Sequence, residues 1–277
     1  MIAWLEGPVP LRTSVGFRWF VAVKVAAFEL AHGAPALAGM LLVLGGLLAV
    51  SERRAGWIAI GGVLAWQIAA RFPWAPNHHY VELALVALLA GFPDPADGRP
   101  IRAAGALIVL CFLGSAWQKA FHGRWHDGEF LVHAALYGPD WSCLPWLLRE
   151  GLGLGAALGA SPWPTATPTV FGGPPPVPPA WGIAVCRALS WVTLAAEVAV
   201  PLAVVWPRTR RAAWPVAVAL QLVVSGAVGI WGFGLTGLAC WWTWSDRRYG
   251  PLVAATVIVA AVGALCDALG CLPWVWQ

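Results

Sequence analysis

The residues able to do chemistry in this chain interrupt its apolar runs in three places. Asn77-His78-His79-Tyr80 opens one run and is followed by Glu82. Trp117-Gln118-Lys119 closes another and is followed by His122, Trp125, His126, Asp127, Gly128 and Glu129. Glu197 lies inside a third run and Gln221 inside the next. Ionisable groups are expensive to bury in a membrane, so such positions are functional candidates by default.

Lys119 admits two readings. Desolvation at the end of an apolar helix favours the neutral amine, which can take a proton, and an adjacent histidine can orient a substrate oxygen. That chemistry suits a lipophilic acid such as a phenol or hydroquinone. The plainer reading is a lysine whose stem lies along apolar surface while its ammonium snorkels to the membrane interface. His122, His126 and His133, with Asp127 and Glu129, raise a metal site, because His122 and His126 would share a helix face. Gly123 and Gly128 interrupt that helix and no HExxH-type pattern completes it, so a solvated loop is expected and no metal is assigned. Asn77 reads as a helix N-cap, which leaves the imidazoles of His78 and His79 and the phenol of Tyr80 unexplained. The first apolar run also carries Arg18, Lys24 and Glu29. They either form structural ion pairs or line a site.

The elements that must hold these residues follow from composition. Of 277 residues, 60% are apolar and 11% charged, against about 45–50% and about 25% in soluble domains. A membrane-crossing helix takes about 20 apolar residues, so the material suffices for about eight. This excludes a disordered chain, a disulfide scaffold and a soluble nucleic-acid binder; nucleic acid is not an expected partner. The apolar runs predict spans at Ser14–His32, Ala34–Val50, Ala55–Ala70, His79–Phe92, Ile101–Phe121, Gly182–Trp206, Ala212–Trp231 and Pro251–Gly270. Phe130–Tyr137 and Leu144–Gly159 read as interfacial or re-entrant helices, or as one tilted span. The proline-rich stretch Ser161–Trp181 reads as an extended external loop. The expected fold is all-α: one polytopic bundle over residues 1–277 with an external layer at 122–181 and no soluble luminal domain. The cysteines are scattered without a CxxC pair, and Cys143 is the candidate for a bridge.

Basic residues orient the bundle. Placing Arg53 and Arg54, Arg99 and Arg102, and Arg208, Arg210 and Arg211 in the cytoplasm puts both termini inside. The loops Arg71–His78 and His122–Trp181 then face outward, while Arg247 and Arg248 fall on the external side. The His-rich loop and the end of the Lys119 helix thereby reach one face. No signal peptide is read at the N-terminus, and the twenty tryptophans suit interfacial anchoring.

Several of these motifs stand together in a known order. Trp74-Ala75-Pro76-Asn77-His78-His79-Tyr80 resembles the W-x-N-H-x-Y element of the vitamin K-dependent γ-glutamyl carboxylase and its bacterial relatives, which share the horizontally transferred transmembrane (HTTM) domain. Phe112-Leu113-Gly114-Ser115-Ala116-Trp117-Gln118-Lys119 with Trp125-His126-Asp127-Gly128 resembles that family's F-x-A-G-x-x-K-L…W-x-x-G element. Phe17-Arg18-Trp19 is similar to its F-R-F, and Ala196-Glu197-Val198-Ala199-Val200-Pro201 with the Pro207–Arg211 turn to its E-L-x-x-P…R stretch. Leu220-Gln221 stands where relatives often show Phe-His.

The resemblance implies Lys119 as the base that deprotonates a reduced vitamin K or menaquinol-like quinol, with His78 assisting. In the family, oxygen then adds, and the strong base so formed takes a γ-proton from a peptide glutamate, which captures carbon dioxide. Asn77, His79, Tyr80, Trp117, Trp125, Arg18, Glu197 and Gln221 are the implied lining of the site. The expected protein is a bacterial inner-membrane, quinol-dependent oxygenase or carboxylase. Its partners are the lipid bilayer and a peptide or protein substrate, supplied by another chain or by Ser161–Trp181. The competing expectation is a non-catalytic membrane maturation or assembly factor. A transporter is the third, resting on Glu197, Gln221 and the charges of the first span, without an inverted repeat.

Overall fold

The computed structural model describes residues 11–31, 35–71, 77–121, 123–132, 180–228 and 231–244. Among them every regular element is helical: α1 (Leu11–Ala31), α2 (Pro35–Ala49), α3 (Arg54–Arg71), α4 (Asn77–Gly91), α5 (Arg99–Phe121), α6 (Gly123–His126), α7 (Ala180–Val205), α8 (Arg210–Val228) and α9 (Trp231–Trp242). The all-α expectation holds for these residues. Helices α5 and α7, with 23 and 26 residues, are long and apolar enough to cross a membrane; Ala36–Ala49 and His79–Gly91 are apolar but shorter.

The first seven predicted spans coincide with helices to within a few residues, because breakers punctuate the apolar runs. The Phe92–Gly98 link carries two prolines, and Asp97 Oδ1 accepts the Arg99 N–H at 2.8 Å to cap α5. Helix α9 is a departure: the sequence reading closes a span at Trp231 and places no helix between it and Pro251. Its segment, WGFGLTGLACWW, holds three glycines in 12 residues, which argues against a helix on propensity. Burial overrides propensity, since Leu235, Leu238, Ala239, Cys240 and Trp241 are all in the core. The predicted eighth span, the Pro-rich loop before Ala180, Leu144–Gly159, most of Phe130–Tyr137, Cys143 and Arg247–Arg248 lie outside the described residues.

The chain divides into two compact units, Met1–Val109 with Trp231–Gln277, and Leu110–Ile230. In the first, α1 packs on α2, α3 on α4, and α9 touches both α1 and α4. A Cβ on Gly45 of α2 would collide with Ala22 of α1, so glycine at that position lets the two backbones approach closely. Phe17, Val21, Leu41, Trp57, Leu64 and Leu89 fill the interior. In the second unit, α7 and α8 form a hairpin and α6 packs on α7. Arg210 closes the hairpin by donating Nε–H to the Val204 carbonyl at 3.0 Å and Nη2–H to that of Val205 at 3.2 Å, which satisfies carbonyls that the end of a helix leaves free.

Candidate functional site

Among the described residues two buried ion pairs stand out, one in each unit. In the second unit, Ser115 and Lys119 lie one turn apart on α5 and share a face. Lys119 Nζ donates to Ser115 Oγ at 3.1 Å and to Glu197 Oε1 of α7. It also sits 4.7 Å from the centroid of the Trp125 ring, a cation–π distance. The Lys119 side chain is 20% exposed and that of Glu197 only 2%, so access to the pair runs along the lysine.

Trp125 is fixed from both sides: its Nε1–H donates to the Ser190 carbonyl at 3.0 Å, and its ring meets Phe130 at 5.0 Å. The chain turns sharply after α6 at Gly128, whose φ is +75° and where any Cβ would press on the Arg187 backbone of α7. That turn sets Trp125 over Lys119. Glu197 Oε2 is buried with no hydrogen-bond partner among the described residues. Pro201, four residues on, lacks the N–H that would bind the Glu197 carbonyl in a regular helix.

The first unit holds the other pair. Lys24 Nζ of α1 donates to Glu82 Oε1 of α4 at 2.6 Å, and Thr236 Oγ1 of α9 donates to the same oxygen at 3.2 Å. Both charged side chains are only 2% exposed. His79 is buried one turn before Glu82, whereas Tyr80 is 43% exposed. Arg18 is fully buried and donates from Nη2 to the carbonyls of Phe92 and Asp94 at 2.7 and 2.9 Å. It thereby clasps the end of α4. Because Arg18 meets residue 92 and Lys24 meets residue 82, α1 and α4 run antiparallel.

The candidates named from sequence therefore divide. Lys119, Trp125 and Glu197 come together in the second unit, and Gln221 of α8 is buried there, with its Nε2–H on Ser225 Oγ at 3.2 Å. Trp117 is 67% exposed and leans on Phe121, turned away from the buried pair. Arg18, His79 and Tyr80 belong to the first unit. Asn77 and His78 open α4, and their side chains lie outside the described residues, as does that of Glu29. Sequence reasoning set Glu197 beside Gln221 and gave no partner to Lys119. It missed Ser115, whose signal is its i,i+4 spacing to Lys119, and Thr236, for which no local signal exists. His126 bonds through Nε2 to the Ala120 carbonyl at 2.6 Å and rests against Trp191. No group of three metal-ligating side chains occurs among the described residues.

The fold and this site define a class: an all-α protein with apolar helices of membrane-crossing length and a buried lysine–glutamate pair under a tryptophan. No family model matches the chain, and neither a curated protein nor a solved structure is detectably similar to it.

Proposed function

We propose that this chain is an HTTM-type integral membrane protein of about eight spans, and that the Lys119 site activates the hydroxyl of a quinol-like molecule. The reading supported is a quinol-dependent oxygenase or carboxylase resembling the membrane domain of the vitamin K-dependent carboxylase, set in a bacterial inner membrane with both termini cytoplasmic. The observation that carries it is the Lys119–Glu197 contact beneath Trp125. Lys119 is the one partly open member of a buried acid–base pair, beside an aromatic surface that suits a lipophilic ring.

The residues present fit such a molecule. A quinol offers an apolar ring and hydroxyl donors, and Glu197 Oε2 is a buried acceptor lacking a donor among the described residues. Once bound, the quinol would supply reducing equivalents to oxygen and the strong base that carboxylation needs. Lys119 would take the hydroxyl proton at Nζ, Trp125 would cover the ring, and the apolar helices would exclude water. The resemblance, rather than the geometry, assigns the assisting role to His78. A peptide glutamate is the proposed acceptor of carbon dioxide.

Purified protein in detergent, given a reduced naphthoquinone under air, is expected to form the epoxide, read by mass spectrometry, and Lys119→Ala is expected to abolish it. No epoxide from a folded, monodisperse sample over several quinols would overturn the catalytic reading in favour of a non-catalytic assembly factor.

A further inference from the structure

A proton accepted at Lys119 needs somewhere to go. Lys119 Nζ already faces Ser115 Oγ at 3.1 Å, Glu197 Oε1, and the Trp125 ring centroid at 4.7 Å. Two oxygens and a π face are surroundings that suit an ammonium with three N–H donors. Glu197 is in the opposite situation. Its side chain is 2% exposed, one oxygen takes the Lys119 proton bond, and the other has no partner among the described residues. Glu197 therefore holds acceptor capacity that the described residues do not use.

We propose that Lys119 and Glu197 act as a two-step proton relay in which Glu197 is the final acceptor. This rests on the reading of the site as one that activates an acidic hydroxyl. In the step, the Nζ–H directed at Glu197 breaks and an O–H bond forms on Glu197 Oε1, which leaves Lys119 a neutral amine. The substrate O–H bond then breaks and an N–H bond forms at Lys119 Nζ. Lys119 ends as it began, an ammonium, now facing the negative charge left on the substrate oxygen. Glu197 ends as a neutral carboxylic acid.

One positive and one negative charge are buried before the transfer, and one of each after it. A lysine acting alone as a neutral base would instead create a new ion pair in an apolar interior, with the desolvation cost of both ions. The relay avoids that cost, which is a physical reason for a glutamate to sit beneath a lysine that serves as a base. Glu197 is thus a proton-handling residue that acts through Lys119.

The test is anaerobic addition of a reduced naphthoquinone to the full chain, with binding followed by tryptophan fluorescence and protonation by infrared difference spectroscopy. Binding is expected to raise a protonated-carboxyl band that shifts in heavy water and with carbon-13-labelled glutamate. The band should vanish in Glu197→Gln, and also in Lys119→Arg, whose guanidinium does not release its proton. Binding without the band, or a band that survives in Glu197→Gln, would overturn the relay and leave the proposed function standing. A band that survives in Lys119→Arg would overturn passage through Nζ. Failure of the wild type to bind any quinol would instead remove the proposed function, and the relay with it. Should Glu197→Gln fail to fold, the isotope shift and Lys119→Arg still decide the matter.

Discussion

At the scale of single residues, the two buried ion pairs respond differently to substitution. Lys24 and Glu82 are both buried, so removing either charge leaves the other in an apolar interior without its counter-charge. Such losses cost about 3–5 kcal/mol. Glu82→Gln is therefore expected to lower the thermal midpoint sharply, and the double change Lys24→Met/Glu82→Leu to recover most of the loss. A double variant no more stable than the single one would show that the pair stabilises through its charge. Asp97 offers a pH test outside the apolar helices. The side-chain hydrogen bond from Arg99, first, and the nearby arginine charges hold its carboxyl below the usual range. A lowered folded value means that the stabilisation is fully present above the unfolded value of about 3.9 and is lost as pH falls through the folded value. The difference in thermal midpoint between wild type and Asp97→Asn is thus expected to be constant near neutrality and to shrink on acidification below about pH 4. A difference independent of pH would place the effect in the cap geometry instead.

At the scale of elements, the turn after α6 decides whether Trp125 reaches Lys119. Gly128 adopts φ +75°, and a Cβ there would lie 2.5 Å from the Arg187 nitrogen. The left-handed conformation alone costs an L-residue about 1–2 kcal/mol, and the backbone clash adds to it. Gly128→Ala is expected to destabilise the protein by at least that much and to weaken quinol binding by moving Trp125. Gly114→Ala is the control: nothing lies within 4 Å of its Cβ position, so it should be neutral or stabilising by up to about 1 kcal/mol. Equal effects of the two changes in chemical denaturation would contradict this account of the turn. The same scale shows why α9 escaped sequence reading while α7 did not. Helix α7 is a long apolar run between a Pro-rich stretch and the Pro207 turn, a signal carried by the segment itself. Helix α9 is held by what surrounds it, including the Trp244 indole that donates to the Gly105 carbonyl at 2.7 Å across 139 residues.

At the scale of the whole molecule, the arrangement of spans is directly testable. The polytopic reading puts the 92–98 link and the 206–209 turn on the cytoplasmic side. Single cysteines at Ala96 and Thr209, in a background without native thiols, are expected to react with a membrane-impermeant maleimide only after permeabilisation of spheroplasts. Labelling of either in intact spheroplasts would reverse the orientation or remove a span. Two described helices are long and apolar enough to cross a membrane, and in α1 the charged Arg18 and Lys24 face protein partners.

The sequence by itself determined the helical class, the bounds of most helices, and that Lys24, Lys119, Glu82 and Glu197 needed explanation. Each of these is local, resting on hydropathy, on proline and glycine breaks, or on the cost of a charge in an apolar run. Only the tertiary structure decided who pairs with whom. Lys119 meets Glu197 across 78 residues and Lys24 meets Glu82 across 58, and no periodicity encodes such a distance. A buried charge requires a partner without specifying which, and the packing of one helix against another makes that choice.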